Sequence, residues 1–212
     1  GTNSLVLEMS DVQPVNLSTR LSYLLGYPHG CVEQITSKVF PQLYLSGFAS
    51  LTREQEQSTE ATVKEVICRL RSYQTVDGSF SYWPGGTAPN AWGTVYAIHF
   101  LLEAEKKGYL VPEGMKRNAL NDLSRIARNW KPEASYSAES EEMTQAYRLF
   151  VLALGQVAEV GAMNRLKESK TLMSMSRYLL AAGYALIGRP DVSKELVVKT
   201  TALTTACSGY DQ

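Results

Sequence analysis

The chain is poor in the residues that mark specialised classes. It has three cysteines (Cys31, Cys68, Cys207) and two histidines in 212 residues. These are too few and too scattered for a disulfide framework, a zinc knuckle or an ordinary metal centre. It lacks charge of one sign: 21 Lys+Arg balance 21 Asp+Glu. A nucleic-acid or anionic-membrane surface would need a basic excess. No apolar run approaches the roughly 18 residues of a membrane span. With 44% hydrophobic and 20% charged residues the composition is not that of a disordered chain. A chain of this length buries roughly 70% of its unfolded surface, enough for one domain or two small ones without covalent staples. No signal peptide opens the chain and Gly1 stands at its start. We therefore read it as a piece excised from a longer protein, with targeting information removed.

What is present is helical periodicity and its punctuation. Residues 1–13 read as a linker or short strand, with weak alternation over 4–9, and residues 14–212 as one helical domain. Asn16 and Ser18 cap a short helix over Leu21, Leu24 and Leu25, which Gly26, Pro28 and Gly30 break. Cys31 opens a helix through Val39, Phe40, Leu43 and Leu45, bent at Pro41, which has no N–H to donate. Thr52 and Gln55 form a capping box ahead of Val63, Val66, Ile67 and Leu70. A Gly/Pro/aromatic loop over 74–86 turns at Asp77 and Gly78. Asn90 caps a helix that Gly108 stops, and another helix spans 115–130. Residues 131–140 read as polar loop, 143–154 as helix and Gly161 as a break. A helix over 172–187 ends at Gly188, and Pro190 sits at a helix start. The stretch 94–102 aligns with 144–152, and 177–186 is a looser third copy. Repeated helical hairpins predict a solenoid or a closed α/α toroid. No strong period follows Thr200, as if a longer array were cut there.

The residues that carry chemistry lie between Tyr27 and Leu45. Gly30 before Cys31 at a helix start leaves the sulfur accessible and the backbone free for unusual dihedrals. The helix N-terminus favours thiolate. Gln34, three residues on, shares its face, so its side-chain carbonyl reaches the Cys31 sulfur. A thiolate held against a primary amide displaces ammonia and leaves an internal thioester. Glu33 between them is a candidate proton carrier. His29 is either a local base for the thiol or a loop residue filling space.

Gly30-Cys31-Val32-Glu33-Gln34, followed by Pro41 and Tyr44-Leu45, resembles the thioester signature of the alpha-2-macroglobulin and complement family. Tyr27-Pro28-His29-Gly30 ahead of the cysteine is similar to the bacterial form, and Val32 stands where the animal form usually has glycine. Residues 77–86 with Trp92, Thr94, Tyr96 and Ala97, and residues 144–148, also resemble the family. The resemblance runs from about 14 to 200. It implies an all-α, α/α toroid of antiparallel hairpins, left as an open arc because family members continue with further hairpins. It implies a thioester between Cys31 and Gln34, with Gly30 giving access and Glu33 assisting. It implies a protease-trapping module of a bacterial alpha-2-macroglobulin, not an enzyme with turnover. It implies that neighbouring domains of the full-length chain cover the thioester until a protease cuts a bait segment. It implies that a protease lysine then attacks the Gln34 carbonyl, forming an amide and releasing the Cys31 thiol. No cofactor, metal or nucleic acid is implied. The expected location is periplasmic or extracytoplasmic, with membrane contact only through an anchor outside this piece. Complement proteins that acylate hydroxyls carry a catalytic histidine in a loop comparable to 131–140. None stands there in this sequence, which implies direct attack by amines.

The remaining residues admit other readings. His99 reads as a hydrogen-bonded core residue, Cys68 as a small buried apolar one and Cys207 as an exposed thiol. Nothing in the sequence supports a Cys31–Cys68 disulfide. Phe80, Tyr82, Trp83 and Trp92 would suit a carbohydrate-stacking cleft, with Asp77 and Glu103 as the carboxylates of a toroidal glycoside hydrolase or lyase. Against that, Asp77-Gly78 is turn chemistry and the aromatics plug a hairpin end. The third reading is a helical-repeat binding scaffold whose Cys-x-Glu-Gln is accidental.

Overall fold

The computed structural model describes residues 30–47, 50–132, 138–169 and 172–207, with side chains as far as residue 198. The expected strand at 4–9, the helix over Leu21 to Leu25, His29 and the side chain of Cys207 lie outside these residues.

Cap chemistry sets the helix starts. Helix α1 (Val32–Val39) begins at Cys31. Helix α2 (Arg53–Arg69) begins at Thr52, whose hydroxyl accepts from the Gln55 N–H at 3.2 Å while Gln55 Oε1 accepts from the Thr52 N–H at 2.9 Å. Helix α3 (Ala91–Lys106) begins at Asn90, whose Oδ1 accepts from the Gly93 N–H at 2.6 Å. Then come α4 (Glu113–Asn129), α5 (Ala138–Leu154), α6 (Val160–Lys167), α7 (Ser174–Leu186) and α8 (Pro190–Cys207). Gly108 and Gly188 close α3 and α7 with φ of +89° and +75°, which glycine adopts without a Cβ clash.

Four expectations change. Pro41 does more than bend its helix: from Phe40 to Gly47 the chain winds as a 3₁₀ helix, since Pro41 cannot donate to the carbonyl a turn back. Helix α5 starts at Ala138, so 138–140 are helical and not loop. The break after α5 lies at Gln156, which takes φ +62°, and Gly161 sits inside α6. Helix α8 runs through Cys207, past the point where the sequence loses its period.

Among the described residues consecutive helices pair as α1/α2, α3/α4, α5/α6 and α7/α8, while α1, α3, α5 and α7 touch one another in that order. The odd helices form one layer and the even helices back it. This is the α/α toroid arrangement of helical hairpins. The layering explains α3, which buries Val95, Ala97, Ile98, Phe100, Leu101, Leu102 and Ala104 around most of its circumference. It is packed between α1 and α5 and backed by α4. At the far end of the row, α7 buries Leu180 and Tyr184 but leaves Met175, Tyr178 and Leu186 exposed on its opposite face.

Candidate thioester site

Cys31 is the N-cap of α1, with extended backbone at φ −70° and ψ 170°. Gln34 is the third residue of the helix. Its side chain folds back so that Oε1 accepts from the Cys31 N–H at 3.0 Å. The Cys31 side chain in turn lies against the Gln34 backbone N–H. This reciprocal arrangement is a capping box with a thiol in place of the usual hydroxyl. The bonds that start the helix thus also bring a thiol and a primary amide together.

Gly30 makes the room. Its φ is +120°, and a Cβ there would lie 1.9 Å from Gln34 Oε1 and 2.9 Å from Gln34 Cδ. The folded-back amide occupies the space that any other side chain would fill. The Gly30 carbonyl accepts from the Tyr73 hydroxyl at 2.7 Å, and the Val32 N–H donates to the Tyr82 carbonyl at 3.0 Å. The first turn of α1 is therefore tied on both sides to the segment 73–82. That segment is held by backbone bonds from Thr75 N–H to the Ser79 carbonyl and from Ser81 N–H to the Tyr73 carbonyl, both 2.8 Å. From the other side α3 approaches so closely that a Cβ at Gly93 would meet Val32 Cγ1 at 2.4 Å.

The sequence places an accessible sulfur here; the structure corrects this. Cys31 is 1% exposed, while Gln34 is exposed and Glu33 half-buried. Gln34 is thus the exposed member of the pair and Cys31 the buried one. Sequence reasoning missed the neighbour across the chain: the Val32 N–H donates to the Tyr82 carbonyl, which sets Tyr82 beside the first turn of α1. The neighbouring Cys31, more than the Glu33 charge, holds the Tyr82 phenol above its ordinary pKa. No local spacing announces this partner, because the two lie in separate hairpins.

The carbohydrate constellation does not assemble. Phe80 is fully buried, Trp83 packs edge-on to Tyr82 at 5.4 Å and Trp92 packs on Tyr147 at 5.3 Å. Glu103 accepts from the Tyr44 hydroxyl at 2.5 Å and pairs with Lys106 at 2.8 Å. Burial, then that bond, pushes Tyr44 up to about 12. Asp77 sits in a turn closed by Gly78 N–H to the Thr75 carbonyl at 3.0 Å. Two clefts of about 660 and 450 Å³ include none of Asp77, Trp83, Trp92 and Glu103 in their walls. His99 behaves as expected. Its Nδ1 lies 2.8 Å from the Tyr147 hydroxyl, and burial lowers its pKa to about 4. Cys68 is exposed, not buried, because Val63, Val66, Ile67 and Leu70 carry the packed face and residue 68 turns away from it. Cys31 and Cys68 are both free thiols. No group of three or more potential metal ligands occurs among the described residues.

The family profile described as the A-macroglobulin TED domain matches residues 4–147. The chain belongs to this family. Its relatives include the alpha-2-macroglobulin of Escherichia coli K12, 29% identical over 196 residues that make up 89% of this chain and 12% of the relative. That of Xylella fastidiosa Temecula1 is 29% identical over 195 residues, 86% of this chain and 12% of the relative. Among solved structures, Salmonella alpha-2-macroglobulin reacted with methylamine superposes with a TM-score of 0.75 at 28% identity, over 88% of this chain and 13% of that one. Trypsin-activated E. coli alpha-2-macroglobulin gives 0.71 at 26% identity, over 82% and 13%. The TED domain described here thus spans about an eighth of the length of these relatives.

Proposed function

We propose that this TED domain carries an internal thioester and serves a longer protease-trapping inhibitor. The observation that carries the reading is the Cys31–Gln34 capping box, with the amide folded into the space left by Gly30 and the sulfur buried beside it. The Cys31 thiolate attacks Gln34 Cδ, ammonia leaves, and a C–S bond remains. An amine later attacks the same carbon from the exposed side, a C–N bond forms, the C–S bond breaks and the thiol is regenerated. Each thioester is used once, so this is stoichiometric capture and not turnover. Burial of the sulfur keeps water from one face of the bond, and neighbouring domains would cover the Gln34 face. The relatives described as reacted with methylamine and as activated by trypsin or elastase support this chemistry and its protease partners. The corresponding location is outside the cytoplasm, where foreign proteases are met.

The test is intact-mass analysis of the full-length protein before and after methylamine. Loss of one ammonia, then methylamine attached at Gln34 with one new thiol at Cys31, is expected. Cys31→Ala abolishes both while the domain stays folded. Amine on another residue, or no new thiol, overturns the reading.

A further inference from the structure

Tyr73 stands at the end of the 3₁₀ turn Leu70–Tyr73 and is fully buried. Its hydroxyl donates to the Gly30 carbonyl at 2.7 Å. Its own carbonyl accepts from the Ser81 N–H at 2.8 Å and from the Ser81 hydroxyl at 2.9 Å, so the residue is held at both ends. The Gly30 carbonyl and the Cys31 N–H belong to one trans peptide group, in which they lie in one plane and point opposite ways. The hydroxyl that orients the carbonyl therefore also orients the N–H. That N–H points at Gln34 Oε1, 3.0 Å away. The oxygen is seated in the niche that Gly30 leaves, since a Cβ there would lie 1.9 Å from it. One chain of hydrogen bonds thus runs from a fixed phenol, through a peptide group, to the oxygen of the Gln34 amide. A donor at roughly 2.7–3.1 Å is placed to stabilise negative charge on an acyl oxygen.

We propose that the Gly30–Cys31 peptide is the oxyanion donor of the thioester chemistry and that Tyr73 is the positioning residue that aims and polarises it. The proposal rests on the thioester reading above. In formation the Cys31 sulfur adds to Gln34 Cδ, and the carbonyl π pair moves onto Oε1, where the Cys31 N–H meets it. The pair returns, the C–N bond breaks, and ammonia leaves with the thiol proton. In opening, an amine adds to the same carbon and the charge appears again on Oε1. The C–S bond then breaks, and the proton given up by the amine passes to sulfur. The donor is the same in both reactions because the oxygen never leaves. Its bond strengthens when charge gathers at the tetrahedral stage, so it lowers the barrier more than it steadies the resting state. A hydrogen bond accepted by the carbonyl of a peptide makes the N–H of that peptide a stronger donor. Tyr73 does this for Cys31 without touching the reacting atoms.

The experiment uses the full-length protein and follows the rate of thiol release by methylamine per thioester present, with intact mass giving that amount. Tyr73→Phe keeps the buried ring and loses the hydroxyl. A direct oxyanion donor is worth roughly 10²–10³-fold, and one further bond in the chain strengthens it by about 10–30%, so release should slow roughly two- to eightfold. Incorporating 3-fluorotyrosine and then 3,5-difluorotyrosine at position 73 raises the acidity of the phenol with little change of shape, and release should quicken in that order. A phenol that only fills the core would show no such order. Thermal unfolding is measured on each protein, and the fluorinated pair tests the proposal even where Tyr73→Phe lowers stability. A wild-type release rate in Tyr73→Phe, or fluorinated proteins no faster than wild type, overturns the proposal. Failure of wild type itself to lose ammonia or release thiol overturns the thioester reading instead, so the two outcomes are distinguishable.

Discussion

Gly30→Ala separates the stability of the site from its chemistry. The alanine must hold φ near +120°, a region that costs a residue with a Cβ about 1–3 kcal/mol. Its Cβ would lie 1.9 Å from Gln34 Oε1, so the Gln34 side chain must swing away. That breaks the 3.0 Å bond to the Cys31 N–H, worth about 1 kcal/mol. The reduced freedom of the unfolded chain returns about 0.4–1 kcal/mol. The balance is a loss of about 1–4 kcal/mol, or roughly 2–15 °C in Tm for a domain of this size. The clash itself is cheap to relieve, since the atom met is the end of a flexible side chain. For the proposed thioester that movement is decisive, because it takes the Gln34 side-chain carbon away from the thiol. We expect a folded domain with a lowered Tm and no methylamine-released thiol in the full-length protein. Thermal unfolding and thiol titration on the same preparation measure both quantities. A Gly30→Ala protein that releases a full equivalent of thiol would refute the claim that the vacancy at Gly30 positions Gln34. An unchanged Tm would refute the claim of backbone strain.

Three further predictions follow from the same packing. His99 is half-buried, which lowers its pKa to about 4, so as pH falls below about 6.5 the unfolded chain takes up a proton that the folded one refuses. Stability should fall by up to about 3 kcal/mol between pH 6.5 and 4 from this group, and denaturant titrations of His99→Leu should lack that part of the slope. Gly93→Ala drives a methyl into Val32 Cγ1 across α1 and α3, which should cost about 1–3 kcal/mol, partly offset by about 1 kcal/mol of helix propensity; a stabilised variant in urea unfolding would show that the contact relaxes freely. His29 and His99 are the only histidines, and His99 is committed to Tyr147 in the core. Without an acyl-imidazole, amines should outcompete glycerol for the activated thioester in the full-length protein, and His29→Ala should leave the product ratio unchanged. A predominant ester that disappears in His29→Ala would show the opposite mechanism.

The line between what sequence and structure each decided follows the range of the forces involved. Within one helical turn the sequence was sufficient. Thr52 with Gln55, Asn90 at the head of α3, and Gly108 and Gly188 at helix ends all act through hydrogen bonds or dihedral limits local to a few residues. The Cys31–Gln34 pair is legible for the same reason, because an N-cap and the third helical residue meet wherever that helix starts. The repeat that α3 and α5 share was legible because each copy buries the same face. Properties that depend on which hairpin lies beside which were not. The burial of Cys31, the Val32 N–H bond to the Tyr82 carbonyl, the exposure of Cys68 and the dispersal of Phe80, Trp83 and Trp92 to different partners are set by packing between segments far apart in the chain. Sequence alone put a thiol and an amide within reach of each other. Only the tertiary structure decided that Gln34 stays exposed while Cys31 is buried, because a neighbouring segment, and not the helix that carries them, covers one of the two residues.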